Sequence, residues 1–281
     1  MWCSLFFFCG PRLVIDVKPR GEMILKPLDV SAIRRETRHL LVGHDLRYVA
    51  SVDSTNRLAR ECTDWKTGTT FITDFQYAGK GRQGKSWEAP AYSSLLLSVS
   101  VRLPMGAAPG ACTMLASLGS ADAIRSTCAL SPVLKWPNDV LLGGRKCCGI
   151  LAEYSPRSSR RVILGIGINV NFDPRAVKTV PGAISTLQVE SGGPVSREEL
   201  AIALFASLDL WYRVLIHRSD RVVDAWAAQL DTIGRPIEVK EQASTWSGMA
   251  LAIQPDGGLL VRRTDGVERV IYAADVSVRS S

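Results

Sequence analysis

Three glycines and three cations share the eight residues Gly79-Lys80-Gly81-Arg82-Gln83-Gly84-Lys85-Ser86. That composition suits the wrapping of an anion in backbone N–H groups and positive charge. The stretch satisfies the P-loop pattern G-x-x-x-x-G-K-S, the dinucleotide pattern G-x-G-x-x-G, and a bare anion cradle. A P-loop must open a helix whose N-terminus holds the phosphates. Here Pro90 and the strand-like Ser94–Arg102 follow instead. A dinucleotide fold also wants an acidic residue about 20 positions on, where this chain has LPMGAAPG. The surviving reading is a loop between strands that cradles a phosphate or an adenylate.

Other stretches carry chemistry of their own. Lys135-Trp136-Pro137-Asn138-Asp139 sets a lysine beside an aromatic and a rigid turn whose polar residues can reach a metal or a nucleotide. Lys146 follows a Gly143-Gly144 turn at the head of an apolar strand, where a lysine can point into a partly dry site. Gly165-Ile166-Gly167-Ile168-Asn169 offers glycines that leave room for a flat ligand and an asparagine to bond it. Each has a plainer reading as well: a capped turn, a strand-end charge, tight sheet packing.

The elements that must position these residues follow from periodicity. A helix is expected from Ser31, with Ile33, Thr37, Leu40 and Leu41 on one stripe. Ser54 is the expected N-cap of a helix turning Leu58, Ala59 and Cys62 inward. Strands are expected at TTFITDFQ, SLLLSVSVRLP, VLKW, VLL, CCGILAEYS and RRVILGIGINVNF, and a helix over Ala111–Leu130 ended by Pro132. Ser196-Arg197-Glu198-Glu199 is a capping box opening a long helix with Leu200, Leu204, Leu208, Trp211 and Leu215 as its stripe, followed by a second helix at about 220–230. After Gly234 the runs become β-type, broken at Asp256-Gly257 and Asp265-Gly266. The pattern predicts an α+β protein: a mixed sheet with packed helices, then a small C-terminal β-barrel.

With 281 residues, 46% apolar and 22% charged, the chain can bury a full core. The net charge of +7 favours anionic partners. Seven cysteines without a C-x-x-C pair fit reduced thiols in a cytoplasmic protein, and three histidines give no metal cluster. The apolar N-terminal run is too short to span a bilayer and a poor signal peptide, so no membrane partner is expected, and residues 1–25 fall outside the expected core.

In order along the chain, DSTN at 53–56, the pattern from Gln76 to Trp87, KWPND, RKCCGIL at 145–151 and GIGIN resemble the biotin protein ligases. The resemblance runs from Asp45 to the C-terminus. It implies a class II synthetase-like catalytic domain over 45–230, an SH3-like barrel over 231–281, and an N-terminal extension with a leading helix over 1–44. It further implies adenylation of biotin by ATP with Mg²⁺, then transfer from biotinyl-5′-AMP to one lysine of the biotin carboxyl carrier domain of an acyl-CoA carboxylase. Biotin would lie against Ser54, Thr55, Asn56, Gln76, Gly79, Lys80, Gly81, Arg82, Lys146, Gly149 and Gly167. ATP or the adenylate would meet Lys80, Arg82, Lys85, Trp87, Lys135, Asn169 and Ala183. Lys146 and Arg82 would be the catalytic cations, with Asp139 towards Mg²⁺ and no tightly bound metal.

Two positions depart from the family pattern. Lys80 stands where arginine is usual, and Ala183 where some members carry a tryptophan that stacks on adenine. Some members also bind DNA through a helix-turn-helix domain; the leading helix here reads as part of the catalytic fold, so no DNA partner is expected, and a homodimer is left open. The rival readings are a lipoate or octanoate ligase of the same fold, which KWPND and the glycine loop argue against, and a nucleic-acid-binding protein. The latter needs aromatics interleaved with basic residues, and the C-terminal segment offers only Trp246 and Tyr272.

Overall fold

The computed structural model describes residues 25–154, 160–177, 184–241, 244–272 and 275–278. The expectation for the first 25 residues therefore falls almost wholly outside the described ones. In chain order the strands are β1 (Leu46–Val52), β2 (Thr70–Gln76), β3 (Gly79–Lys80), β4 (Ser86–Trp87), β5 (Ser94–Arg102), β6 (Val133–Lys135), β7 (Asp139–Leu142), β8 (Arg145–Tyr154) and β9 (Arg161–Asn169). Strands β10 (Pro236–Glu241), β11 (Ser244–Ile253), β12 (Leu259–Arg263), β13 (Glu268–Ile271) and β14 (Asp275–Val278) complete them. The helices are α1 (Val30–Thr37), α2 (Thr55–Glu61), α3 (Ala111–Cys128), α4 (Leu187–Ser191), α5 (Arg197–His217) and α6 (Ser219–Ala227).

Seven strands form one sheet in the order β1-β2-β5-β9-β8-β7-β6. Only the β1–β2 pair is parallel, so the sheet is mixed as expected. Its two faces separate by residue parity. Leu95, Leu97, Val99 and Val101 of β5, with Leu164, Ile166 and Ile168 of β9 and Cys148 and Ile150 of β8, enter the main core with α3 and α5. The opposite face carries Ser98, Ser100, Gly149, Leu151, Glu153, Gly165, Gly167 and Asn169, and α2 packs there. The serines that alternate along β5 thus face α2 rather than solvent: Ser98 and Ser100 are fully buried.

Small side chains on α3 let α5 approach closely; a Cβ on Gly119 would stand 2.9 Å from Leu208 Cδ2. Ser196 caps α5 as expected, its Oγ accepting from Glu199 N at 3.1 Å. By length and composition α5 could cross a membrane, yet Leu200, Leu204, Leu208 and Leu215 are buried in the core. Three expectations need correction. Helix α1 stops at Thr37, so Leu40 and Leu41 lie beyond it. Ser54 occupies the N-cap of α2 but makes no capping bond with its side chain. Helix α3 ends at Cys128, ahead of Pro132, because Ala129 turns left-handed at φ 54°.

The C-terminal strands pair antiparallel in the order β13-β12-β11-β10-β14, an SH3-like unit. Asp256-Gly257 and Asp265-Gly266 both turn the chain, each glycine at positive φ. This unit is bolted to the larger one through Trp136, whose Nε1 donates to Gly257 O at 3.1 Å while its backbone N donates to Thr232 Oγ1 at 3.2 Å. The guanidinium groups of Arg263 and Arg269 lie 5.3 and 5.8 Å from the Trp246 ring centre, and the Tyr272 hydroxyl donates to Asp256.

Candidate active site

On the α2 side of the sheet lies a cavity of about 470 Å³ that gathers residues from every motif singled out above. Ser54, Thr55, Asn56 and Gln76 line one end, Lys80, Gly81, Arg82, Lys85 and Trp87 cover it, and Lys135, Asp139, Lys146, Gly149, Gly167 and Asn169 form the floor and far wall. Gly79 does not line it. Its role is local: β3 and β4 pair as a tiny hairpin, and a Cβ there would stand 2.5 Å from Trp87 O. Ala183 lies outside the described residues. The glycine loop is this hairpin, closed by Gly81 N to Lys85 O at 2.7 Å, with Gln83 and Gly84 in left-handed conformation at its tip.

The floor is a trough of absent side chains. Gly149 of β8 pairs directly with Gly167 of β9, and the Trp87 indole lies over both; a Cβ at Gly167 would fall 2.6 Å from the indole. Trp87 therefore sits beside the residues assigned to biotin, not apart with the nucleotide ones. Its Nε1 is buried and has no protein acceptor among the described residues, which leaves a donor for a ligand. If the trough holds a flat ligand, Gly167→Ala should raise the KM for that ligand about tenfold, because the new methyl group displaces the Trp87 indole and overfills the trough. Steady-state kinetics on the variant check this.

Lys146 owes its direction to an irregularity. The β7–β8 register shifts between Val140 and Leu141, so that Cys147 is an extra residue on β8. Without that bulge, Lys146 would share the core face of Cys148 and Ile150; with it, the ammonium turns to the trough. Its Nζ lies 2.6 Å from Asp139 Oδ1 and 5.7 Å from the Trp87 ring centre. The two thiols next to it are buried, and burial pushes Cys148 up to about 12 and Cys147 well above its ordinary value. Neither is a nucleophile at neutral pH.

Asp139, expected near Mg²⁺, is thus engaged by Lys146, and no group of three acidic, histidine or cysteine side chains gathers among the described residues.

At the other end, Gln76 Oε1 accepts from Thr55 N at 2.8 Å and from Thr55 Oγ1 at 3.1 Å. Ser98 Oγ contacts Thr55 Oγ1 at 2.7 Å and Asn56 Oδ1 at 2.5 Å. Arg161, stacked on Trp65 at 4.5 Å, donates to Cys62 O at the far end of α2 and so fixes the helix that carries Thr55 and Asn56. Some contributors were not among the residues assigned to biotin or ATP. Asn138 donates to Ile150 O at 2.7 Å and accepts from Arg82 Nη1 at 3.1 Å, tying the glycine hairpin to the sheet; its position in KWPND was the only signal. Glu238 and Lys240 of β10 also line the cavity, and nothing in the sequence links them to motifs so far away.

Fold and site together define a class. Residues 48–172 match the Biotin/lipoate A/B protein ligase family, and residues 232–279 match the biotin protein ligase C terminal domain. The biotin–[acetyl-CoA-carboxylase] ligase of Mycobacterium tuberculosis is 33% identical over 270 residues, covering 91% of this chain and 97% of that protein. That of Paracoccus denitrificans is 33% identical over 238 residues, covering 81% and 98%. The chain belongs to the biotin protein ligases. In fold it is similar to the biotin protein ligase from Aquifex aeolicus in complex with biotin and ATP, with TM-score 0.73 at 23% identity over 84% of this chain and 99% of that one. The relatives and the C-terminal match favour biotin over the lipoate alternative.

Proposed function

We propose that the cavity binds biotin along the Gly149–Gly167 trough and ATP towards Lys135 and Asn169, and joins them as biotinyl-5′-AMP. The observation that carries this reading is the convergence of DSTN, Gln76, the glycine hairpin, KWPND, Lys146 and GIGIN on one cavity. In the first step the biotin carboxylate attacks the α-phosphorus, a P–O bond forms, and the bond to the β-phosphate breaks to release pyrophosphate. Lys146 sits where charge develops on the carboxylate and α-phosphate oxygens, and Arg82, held by Asn138, closes over them. The hairpin that carries Lys80, Arg82 and Lys85 also keeps water from the mixed anhydride. In the second step a carrier-domain lysine amine attacks the biotinyl carbonyl, the amide forms, and AMP leaves.

The division into an extension at 1–44, a catalytic unit at 45–230 and an SH3-like unit at 231–281 belongs to the same reading, although Lys240 and Glu238 line the cavity from the third unit. So do a cytoplasmic location, Mg²⁺ arriving with ATP, and the carrier domain of an acetyl-CoA carboxylase as acceptor; no DNA partner is proposed. Biotin-dependent exchange of labelled pyrophosphate into ATP tests the reading, with lipoate as control acid. Exchange with biotin alone is expected; exchange with lipoate alone, or with neither, overturns it.

A further inference from the structure

Asn56 is 4% exposed, on the first turn of α2, and its carboxamide lies against Gly165 in the trough. An amide of this kind has two ends that differ chemically and hardly at all in shape, so something must decide which end the ligand meets. Behind it stands Glu153 of β8. Asn56 Nδ2 donates to Glu153 Oε2 at 2.7 Å and to Leu151 O at 3.4 Å, while Arg60 Nη2 donates to Glu153 Oε1 at 2.7 Å.

We propose that Glu153, held by Arg60, is a positioning residue that fixes the sense of the Asn56 carboxamide, so that the trough presents an acceptor, Oδ1, to a ligand N–H. The physical reason is directional. A carboxylate paired to a guanidinium accepts hydrogen bonds and does not donate them, so only the NH₂ end of Asn56 can face it. Reversal would bring Oδ1 against a carboxylate oxygen. With both N–H groups committed to Glu153 and Leu151, Oδ1 faces Ser98 and the trough, where one lone pair is taken by Ser98 Oγ. The ligand group that answers such an acceptor is a urea or amide N–H. A second feature fits this arrangement: Glu153 lies opposite Ile163 in the β8–β9 register and Leu151 opposite Gly165, so the carboxylate rises on the trough face two residues along β8 from the partner of the glycine that the amide covers. Two residues of one helix, Asn56 and Arg60, thus grip one carboxylate of the sheet from positions one turn apart.

This inference rests on biotin as the trough ligand. It is tested by Glu153→Gln, a nearly isosteric change whose amide can donate as well as accept. The biotin KM in pyrophosphate exchange should rise about tenfold, the effect of one charge-assisted hydrogen bond, while the ATP KM stays unchanged. In an Asn56→Ala background the same change should add nothing, because Glu153 acts through Asn56. A merely structural role would give the same rise in both backgrounds, and that result, or an unchanged biotin KM in Glu153→Gln, overturns the inference. Should Glu153→Gln fail to fold, Arg60→Gln takes its place: a biotin KM raised in the same direction supports the inference and an unchanged one overturns it. A wild-type protein silent with biotin removes the proposed function and this inference with it; an active wild type with an indifferent Glu153→Gln removes the inference alone.

Discussion

Replacing Lys146 with alanine is expected to lower biotin-dependent pyrophosphate exchange by about 10²- to 10³-fold, the usual cost of removing one preorganised charge stabiliser. The loss should fall on kcat more than on either KM under the proposed role of Lys146, which is to stabilise charge that develops in the transition state. Asp139 sharpens the expectation. In wild type its carboxylate lies 2.6 Å from the Lys146 ammonium; in the variant that cation is gone, and the negative group would oppose the anionic substrates of the proposed reaction. Lys146→Arg should recover little, because a planar fork does not replace a compact ammonium turned in by a bulge. A rise of the same size in the biotin KM with kcat unchanged would move Lys146 from chemistry to simple binding.

The largest expected effect on stability lies away from the cavity. Asp74 of β2 is fully buried and accepts from Arg197 Nη1 at 2.8 Å, from the Tyr48 hydroxyl at 2.7 Å and from Leu28 N at 3.2 Å. Burial and the neighbouring carboxylate push the Tyr48 hydroxyl up to about 12. Arg197, 5% exposed, also donates to Lys26 O and Ser94 O, so one guanidinium joins the start of α5, the sheet and the segment before α1. Arg197→Met should destabilise by about 3–5 kcal/mol because it strands a buried carboxylate. For a protein of this size that corresponds to a fall of about 10 °C in melting temperature. Adding Asp74→Asn should return part of the loss, since the stranded charge is then gone. A fall of only a degree or two in the single variant, read by thermal unfolding, would show that Asp74 finds other compensation.

Much of the site was legible because its parts are local. A hairpin that needs glycine, a lysine after a Gly-Gly turn and a Trp-Pro turn each advertise themselves within a few residues. The fold was legible where periodicity is one-sided, as in α5 and its capping box. It misled at α1, where Leu40 and Leu41 continue a helical stripe that the chain abandons after Thr37. It gave β5 as a strand but not what its serine face meets, which is α2, so that both faces are buried.

The chain alone determined which chemical groups are present, their order, and the family they resemble, because glycine, lysine and turn residues constrain the backbone around them whatever surrounds it. Only the tertiary structure decided how those groups face one another. The bulge at Cys147 turns Lys146 to the trough, the β8–β9 register sets Gly149 against Gly167, and Glu153 arrives behind Asn56 from a strand nearly a hundred residues away. A shift of one residue in a strand exchanges its faces. That register is fixed by packing across the whole sheet, which no short stretch of sequence contains.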